Sequence, residues 1–555
     1  MPGRATLRVV LAGIAVTATT GGRLGAAGEP FVEISREVGI AFVHRDGRSG
    51  EKYYVETLGG GGGWIDHDGD GDQDLYLVNG AATRGSTLAE PPRNALYENR
   101  GDRFVDVTEE AGVGDTGFGM GFCAGDYDSD GRIDFLVTSW GPDRLFRNLG
   151  DGRFAEVGAP AGVADERWGT SCAFGDLDAD GDLDLYVARY VNFSYENNPV
   201  CFDPQRSLRS YCRPDVFDGL VDSLFVNQGD GTFVEQGERR GIVQDPLHEK
   251  GLGVVLSDVD LDGDLDVYVA NDTTANRLYV NDGRGLFEDW SLLAGVAFSG
   301  AGVAESGMGL DIGDVDGDRL PDLLVTNYSM ESNTLYRNLG DLLFEDRTVA
   351  AGLASASHLP VGWGVRFFDY DNDGDLDLAV ANGHVVDNIE RFEPGSSYPQ
   401  ANQLFENDGE GAFRDVSASA GAAWGIPRVS RGLAVADWND DGRLDVLVTN
   451  VGQGIDLFEN RLENGHHWLG LALEGPPRNR FAIGARVELQ VGERRLGGEV
   501  RSGGSFMTQS DLRLHFGLGK HAGEVTATIV WPDGRRQEER TAQIDRYWRI
   551  RYNER

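Results

Sequence analysis

The stretch Asp66-His67-Asp68-Gly69-Asp70-Gly71-Asp72-Gln73-Asp74 sets carboxylates at positions 1, 3, 5 and 9 around a glycine at position 6, and it runs straight into the β-rich Leu75-Tyr76-Leu77-Val78. Like charges this close repel and lower stability unless something neutralises them. A hard divalent cation held by oxygen ligands is the physical solution, and Ca²⁺ takes this many at about 2.3–2.6 Å. The expected ligands are the side chains at positions 1, 3, 5 and 9 and the backbone carbonyl at position 7, here Asp66, Asp68, Asp70, Asp74 and Asp72.

The stretch occurs seven times. The second copy sets Asp126, Asp128, Asp130 and Asp134 around the Arg132 carbonyl. The third uses Asp176, Asp178, Asp180, Asp182 and Asp184, and the fourth Asp258, Asp260, Asp262, Asp264 and Asp266. In the fifth, Asp314, Asp316, Asp318, Leu320 and Asp322 keep the spacing, but Arg319 replaces the glycine. The sixth has Asp369, Asp371, Asp373, Asp375 and Asp377. The seventh has Asp437, Asn439, Asp441, Arg443 and Asp445. These are not EF-hands, which need a glutamate at position 12 and flanking helices; Leu77 and Val137 stand there, inside apolar strands. One such hairpin could cap itself and bind nothing, but seven in register favour calcium, with up to seven sites and the fifth the least secure.

Two further elements keep step. A Phe-led segment precedes each loop: Phe31–Ile40, Phe104–Val113, Phe154–Val163, Phe233–Ile242, Phe287–Val296, Phe344–Leu353 and Phe413–Ala422. A Leu-aromatic-x-Asn segment follows it, from Leu96-Tyr97-Glu98-Asn99 to Leu457-Phe458-Glu459-Asn460. Each unit of about 60 residues therefore reads as four short strands, and seven such units predict an all-β, seven-bladed β-propeller over residues 28–461. The last unit lacks the Gly-Asp-Gly-x-Phe turn that links the others. The extra Phe31 segment is expected to pair with Leu457–Asn460 and close the ring, removing the open edges. Two long insertions, about Tyr190–Asp222 and Gly383–Ala401, interrupt the units after the strand that leaves the loop. Hairpin turns alternate between faces in a meander, so both belong opposite the Asp loops, where long loops on a rigid scaffold tend to bind.

Beyond Arg461 the Asp loops stop. His467–Leu473, Ala485–Val491, Leu512–Phe516, Val525–Trp531 and Tyr547–Tyr552 read as strands of a second, small all-β, sandwich-like domain over residues 462–555. At the other end, Arg4 and Arg8, the apolar Val9–Ala18 and the small residues Gly25-Ala26-Ala27 read as a secretory signal over residues 1–27. That run is too short to span a bilayer, and no other stretch is a transmembrane candidate. Export places the chain outside the cytoplasm (periplasm or cell surface in a bacterium), in an oxidising compartment. A disulfide between Cys201 and Cys212 is then expected, with Cys123 and Cys172 either buried free thiols, the preferred reading, or bridged.

The Asp loops with their partner segments resemble FG-GAP/VCBS repeats, as in integrin α-chain propellers. The tail resembles an ASPIC/UnbV domain, through Ala482-Ile483-Gly484-Ala485-Arg486-Val487, Ser502-Gly503-Gly504-Ser505, Gln509–Gly519 and Trp531-Pro532-Asp533-Gly534. The combination is similar to the cartilage acidic protein-like family. The resemblance implies a secreted, calcium-binding propeller used for extracellular interaction.

A chain of 555 residues exceeds one ordinary core, and its net charge of −41 excludes nucleic acid as a partner, since phosphate binding needs a basic face. Filling all seven sites with dications would add 14 charges and leave −27. A monomer that binds an extracellular protein or polysaccharide through the insertion face is the first expectation, with calcium mainly structural. The alternative is a carbohydrate-active enzyme, a polysaccharide lyase or hydrolase, on the propeller scaffold. For it, His44 and His384 are the free acid/base candidates, though a lone histidine is more often structural. A third reading makes the C-terminal domain the binding unit. No serine elbow, Cys-His arrangement, nucleotide loop or zinc spacing appears, so no catalytic residue is assigned. Asn192, Asn271 and Asn327 fit the N-glycosylation pattern.

Overall fold

A computed structural model describes residues 29–245 and 247–553; the leader reading over residues 1–27 lies outside them. Each Asp loop joins the first and second strands of an antiparallel sheet. In the first unit the strand order is Gly62–Ile65, Asp74–Leu77, Ala95–Asn99, Phe104–Asp106, and the same order recurs in six other sheets. The first strands lie side by side in a closed ring, from Gly62–Ile65 through to Ser430–Ala436 and back. This is the all-β propeller that the repeats predict. The closing sheet takes its fourth strand from the N-terminal end, with Phe31 opposite Asn460 and Glu33 opposite Phe458.

The ring stands because the first and second strands are apolar on both faces, as strands buried between layers must be. Between the seventh and first sheets, Trp64, Leu75, Phe104, Ala434 and Trp438 form one cluster, and similar clusters fill the other gaps. The Phe that leads a fourth strand packs on the residue at position 2 of the preceding Asp loop in the first and third sheets, among others. Ring centroids are 5.4 Å apart for Phe104 and Trp438, and 5.5 Å for Phe233 and Tyr127.

Two expectations need correction. The Phe-led segments are not single strands. Phe104–Asp106 is three residues long, and Thr108–Ala111 turns into one helical turn ended by Gly112 at φ +76°, the left-handed geometry that glycine supplies without strain. Cys123 and Cys172 are not free thiols: they form a disulfide with their Cα atoms 5.8 Å apart. They occupy the neighbouring inner strands Phe118–Gly125 and Gly169–Gly175, so the ring sets side by side two residues that the sequence separates by 49 positions. Cys201 and Cys212 are bridged as well, across the hairpin of Cys201–Asp203 and Leu208–Ser210.

The C-terminal region consists of two packed sheets. His467–Glu474, Leu514–Gly519 and Tyr547–Arg551 form one sheet; Arg486–Val491, Arg494–Glu499, Val525–Val530 and Arg536–Thr541 form the other. Leu471, Leu489, Phe516, Ile529 and Ile550 share the core between them. The region also reaches into the ring. Residues 502–511 leave the sandwich and plug the axis of the ring. Thr508–Gln509 adds a parallel strand to Gly62–Ile65. Ser505 and Leu310 exchange both backbone hydrogen bonds, at 2.9 and 3.1 Å. The Ser502 hydroxyl donates to Ala124 O at 2.7 Å, and the Thr508 hydroxyl to Leu433 O at 2.8 Å. Phe506 and Met507 are buried, and the Phe506 ring lies 4.8 Å from that of Trp363.

Candidate metal centres

The seven loops share one backbone. Position 6 has positive φ in every copy, from +75° at Arg319 to +109° at Gly263. The position 1 carboxylate accepts the backbone amide of position 6 in each, at 2.8–3.1 Å. Arg319 therefore keeps the loop shape, at the strain of a side chain in the left-handed region.

Position 9 has two tasks. One oxygen accepts the backbone amide of position 2, as Asp184 does from Leu177 at 3.2 Å. The other accepts the amide of the Asn that ends the third strand, at 2.7–2.9 Å in all seven units. The side chain of that Asn then reaches the preceding unit, donating to the position 2 carbonyl of its Asp loop at 2.7–2.9 Å: Asn99 to Trp438, Asn148 to His67, Asn227 to Tyr127, Asn281 to Leu177, Asn338 to Val259, Asn407 to Val315 and Asn460 to Tyr370. The Leu-aromatic-x-Asn segment thus ends in a clasp between sheets, and the seven clasps close a circle. The fixed place of the Asn after each aromatic was the available signal for it.

What remains at the loops is a convergence of carboxylates, some of whose oxygens have no partner. Carboxylate oxygens of Asp66, Asp68 and Asp70 lie within 4.8 Å of one another, as do those of Asp126, Asp128 and Asp134, of Asp176, Asp178 and Asp180, and of Asp258, Asp260 and Asp262. Oδ1 of Asp128, Asp176, Asp178 and Asp258 is buried with no hydrogen-bond partner. Burial pushes the carboxyls of Asp126, Asp176, Asp258 and Asp437 up to about 7, and those of Asp184 and Asp322 up to about 8. Converging, buried, unpartnered hard oxygens fit a hard dication. Partial counter-charge is already present: Arg147 sits on Asp128 at 2.5 Å, Arg240 on Asp178 at 2.9 Å and Arg486 on Asp258 at 2.8 Å. The first loop differs, because His67 Nδ1 lies 2.5 Å from Asp74 Oδ2.

The C-terminal sandwich covers this loop face. Arg478 pairs with Asp182 at 2.9 Å and donates to Asp180 O at 3.2 Å. Arg494 donates to Asp373 O at 2.7 Å, and Arg513 to Asp440 at 2.8 Å and to Asp437 O at 3.0 Å. The Tyr547 hydroxyl donates to Asp437 at 3.0 Å, and His515 pairs with Asn372 at 2.7 Å. Nothing in the loops themselves signals this docking.

Both insertions lie on the other face and touch each other: Asn388 donates to Arg209 O at 3.0 Å. Phe193 and Phe217 are spent on packing around Tyr54, Trp168 and Tyr190, and the buried Tyr211 hydroxyl donates to Glu56 at 2.9 Å, while Val200 and Phe202 stay exposed. Tyr398 accepts from Arg48 at 2.7 Å, and Lys52 pairs with Asp387. His44 and His384 also lie on this side, buried, and burial holds them down to about 4 and about 3. Each spends Nδ1 on a backbone amide, from Gly452 at 3.2 Å and from Val386 at 3.0 Å, as a structural histidine does. Of the three Asn in glycosylation patterns, Asn271 and Asn327 are buried and unsuited as acceptors; Asn192 is exposed. Among the described residues, no helix is long and apolar enough to cross a membrane.

Residues 66–137, 126–187, 258–325, 314–380 and 395–448 match the FG-GAP-like repeat, and residues 475–555 match the ASPIC and UnbV family. Over 324 residues the chain is 26% identical to Cartilage acidic protein 1 of Homo sapiens, covering 56% of this chain and 37% of that protein. The corresponding protein of Mus musculus is 24% identical, with 56% of this chain and 38% of its own length covered. Among solved structures, YCF48 bound to D1 peptide aligns with 80% of this chain and 100% of its own, at a TM-score of 0.42 and 8% identity. An Agrocybe aegerita lectin that recognises non-reducing terminal N-acetylglucosamine aligns with 71% and 87%, at a TM-score of 0.37 and 16% identity.

Proposed function

Because the chain belongs to the FG-GAP-like repeat family and ends in an ASPIC and UnbV region, we propose that it is a calcium-stabilised binding protein that works outside the cytoplasm. Its insertion face contacts a protein or polysaccharide partner. Two disulfides and the cartilage-named relatives support the location. The observation that carries the calcium assignment is the set of buried, unpartnered oxygens at Asp128, Asp176, Asp178 and Asp258. Side chains at positions 1, 3, 5 and 9 and the carbonyl at position 7 would hold the ion. It would neutralise the carboxylates that crowd each loop, while the Asn clasps tie that loop to the next sheet. The division of faces carries the binding assignment: the sandwich covers the loops and residues 502–511 fill the axis, so the two insertions own the remaining face.

Each ion that binds only the folded chain stabilises it by about 2.7 kcal/mol at a hundredfold excess over its dissociation constant. Thermal melting before and after EDTA treatment is the test. A large fall in melting temperature, restored by calcium, is expected; an unchanged curve would sink the assignment.

A further inference from the structure

Between the loop face of the ring and the C-terminal sandwich lies a cavity of about 560 Å³. That is the size of a small-molecule site. Much of its wall is apolar, from Phe367, Leu376, Val435, Leu512, Phe516 and Val530. Six arginines line it as well, among them Arg366 from the inner strand Gly362–Phe368 and Arg501 from the segment that leads into the plug. Both lean on a single carboxylate oxygen. Arg366 Nη1 lies 3.1 Å from Asp311 Oδ1, and Arg501 Nη2 lies 3.3 Å from the same atom. The second oxygen of Asp311 is taken by the Phe367 amide at 2.7 Å.

Donors are left over. Nε of Arg366, and Nε and Nη1 of Arg501, are buried without a hydrogen-bond partner. Two of the acids in the wall have other partners. Glu499 accepts the Ser257 hydroxyl at 2.5 Å and the Asp258 amide at 3.3 Å, and Asp258 pairs with Arg486 at 2.8 Å. Two largely buried cations with unfilled donors lower stability unless a further acceptor reaches them. Guanidinium is also the group best shaped to hold carboxylate or phosphate oxygens in pairs.

We propose that this cavity binds a small organic anion, its carboxylate or phosphate head on Arg366 and Arg501 and its apolar body against Phe367, Val435 and Phe516. The site borders the Asp loops, with Asp258, Asp314 and Asp369 in its wall, and lies away from the insertion face.

Calorimetric titration of the full chain with octanoate, octyl phosphate, inorganic phosphate and 1-octanol tests it. Octanoate and octyl phosphate are expected to bind, the tighter of the two identifying the head group. Inorganic phosphate should bind at least tenfold more weakly, and octanol should give no saturable heat. Arg501→Gln should weaken the anions at least tenfold. Gly497→Leu provides a second variant that removes no charge: a Cβ at Gly497 meets nothing within 4 Å, so the added side chain fills the cavity and should block binding in a folded protein. The proposal is overturned if neither amphiphilic anion binds, if octanol binds as well as octanoate, or if Gly497→Leu binds like the parent chain.

Discussion

Replacing Asn227 by alanine removes a clasp without touching a carboxylate. Asn227 Nδ2 donates to Tyr127 O in the preceding unit at 2.8 Å and to Leu183 O in its own at 3.0 Å, while Oδ1 accepts the Gly229 amide at 3.0 Å. The residue is 4% exposed, so water cannot replace the lost donor where it stands. Leaving a buried polar group unsatisfied costs about 1–3 kcal/mol, and two carbonyls are affected here, so a loss of about 2–5 kcal/mol is expected. Urea unfolding followed by tryptophan fluorescence, in excess calcium, measures it. Gln228→Ala is the control: that side chain is exposed on the same strand end and bonds only to Val226 O, so a change below about 0.5 kcal/mol is expected. If Asn227→Ala unfolds at the same urea concentration as Gln228→Ala, the clasps do not hold the ring and the reasoning fails.

Three further outcomes follow from the same geometry. In the metal-free chain, burial raises the loop carboxyls far above their unfolded value of 3.8, to about 7 for Asp126 and Asp176 and about 8 for Asp184 and Asp322. The folded form therefore holds the extra protons, and stability present at low pH is lost as pH rises through 7 to 8. EDTA-treated protein should melt higher near about pH 5.5 than near about pH 8, with calcium reversing the order, because bound ions require ionised ligands; a flat metal-free profile would count against it. Gly503→Ala should destabilise the chain by at least about 2 kcal/mol in thermal or chemical unfolding, since its Cβ would lie 2.2 Å from Cys172 O and its φ is +71°; a neutral result would mean that residues 502–511 do not plug the ring. The Cys123→Ala/Cys172→Ala double variant should lose about 2–4 kcal/mol, because the bridge closes a loop across two sheets, and peptide mapping under non-reducing conditions should find the Cys123–Cys172 pair in the parent chain.

The ring was legible because each unit writes its strands with a strong period. An Asp loop, an apolar run and a Leu-aromatic pair recur in a fixed order, and even the borrowed Phe31 strand follows from a count of segments at the two ends. What escaped was contact between units. Cys123 and Cys172 each sit in an unremarkable apolar strand, and only the circular neighbourhood of inner strands makes them partners. The charged strands Arg494–Glu499 and Arg536–Thr541 also escaped, because neither carries the apolar alternation that marks a half-buried strand.

The plug is the more instructive miss. Ser502-Gly503-Gly504-Ser505 reads locally as a loop, since glycine and serine commonly mark turns. In the ring the same residues are what a crowded axis demands. Gly503 lets the backbone pass within reach of Cys172 O, and the Ser502, Ser505 and Thr508 hydroxyls reach the inner strands at Ala124, Val365 and Leu433. Small polar residues there are interior, not surface. It follows that the loop face and the C-terminal region form one folding unit: the Arg side chains of the sandwich rest on the Asp loops, and its plug completes the axis. The six copies of the Asp66–Asp74 loop thus lie at the seam of the molecule, and what stays uncovered is the opposite face, where Cys201–Cys212 holds one insertion in shape.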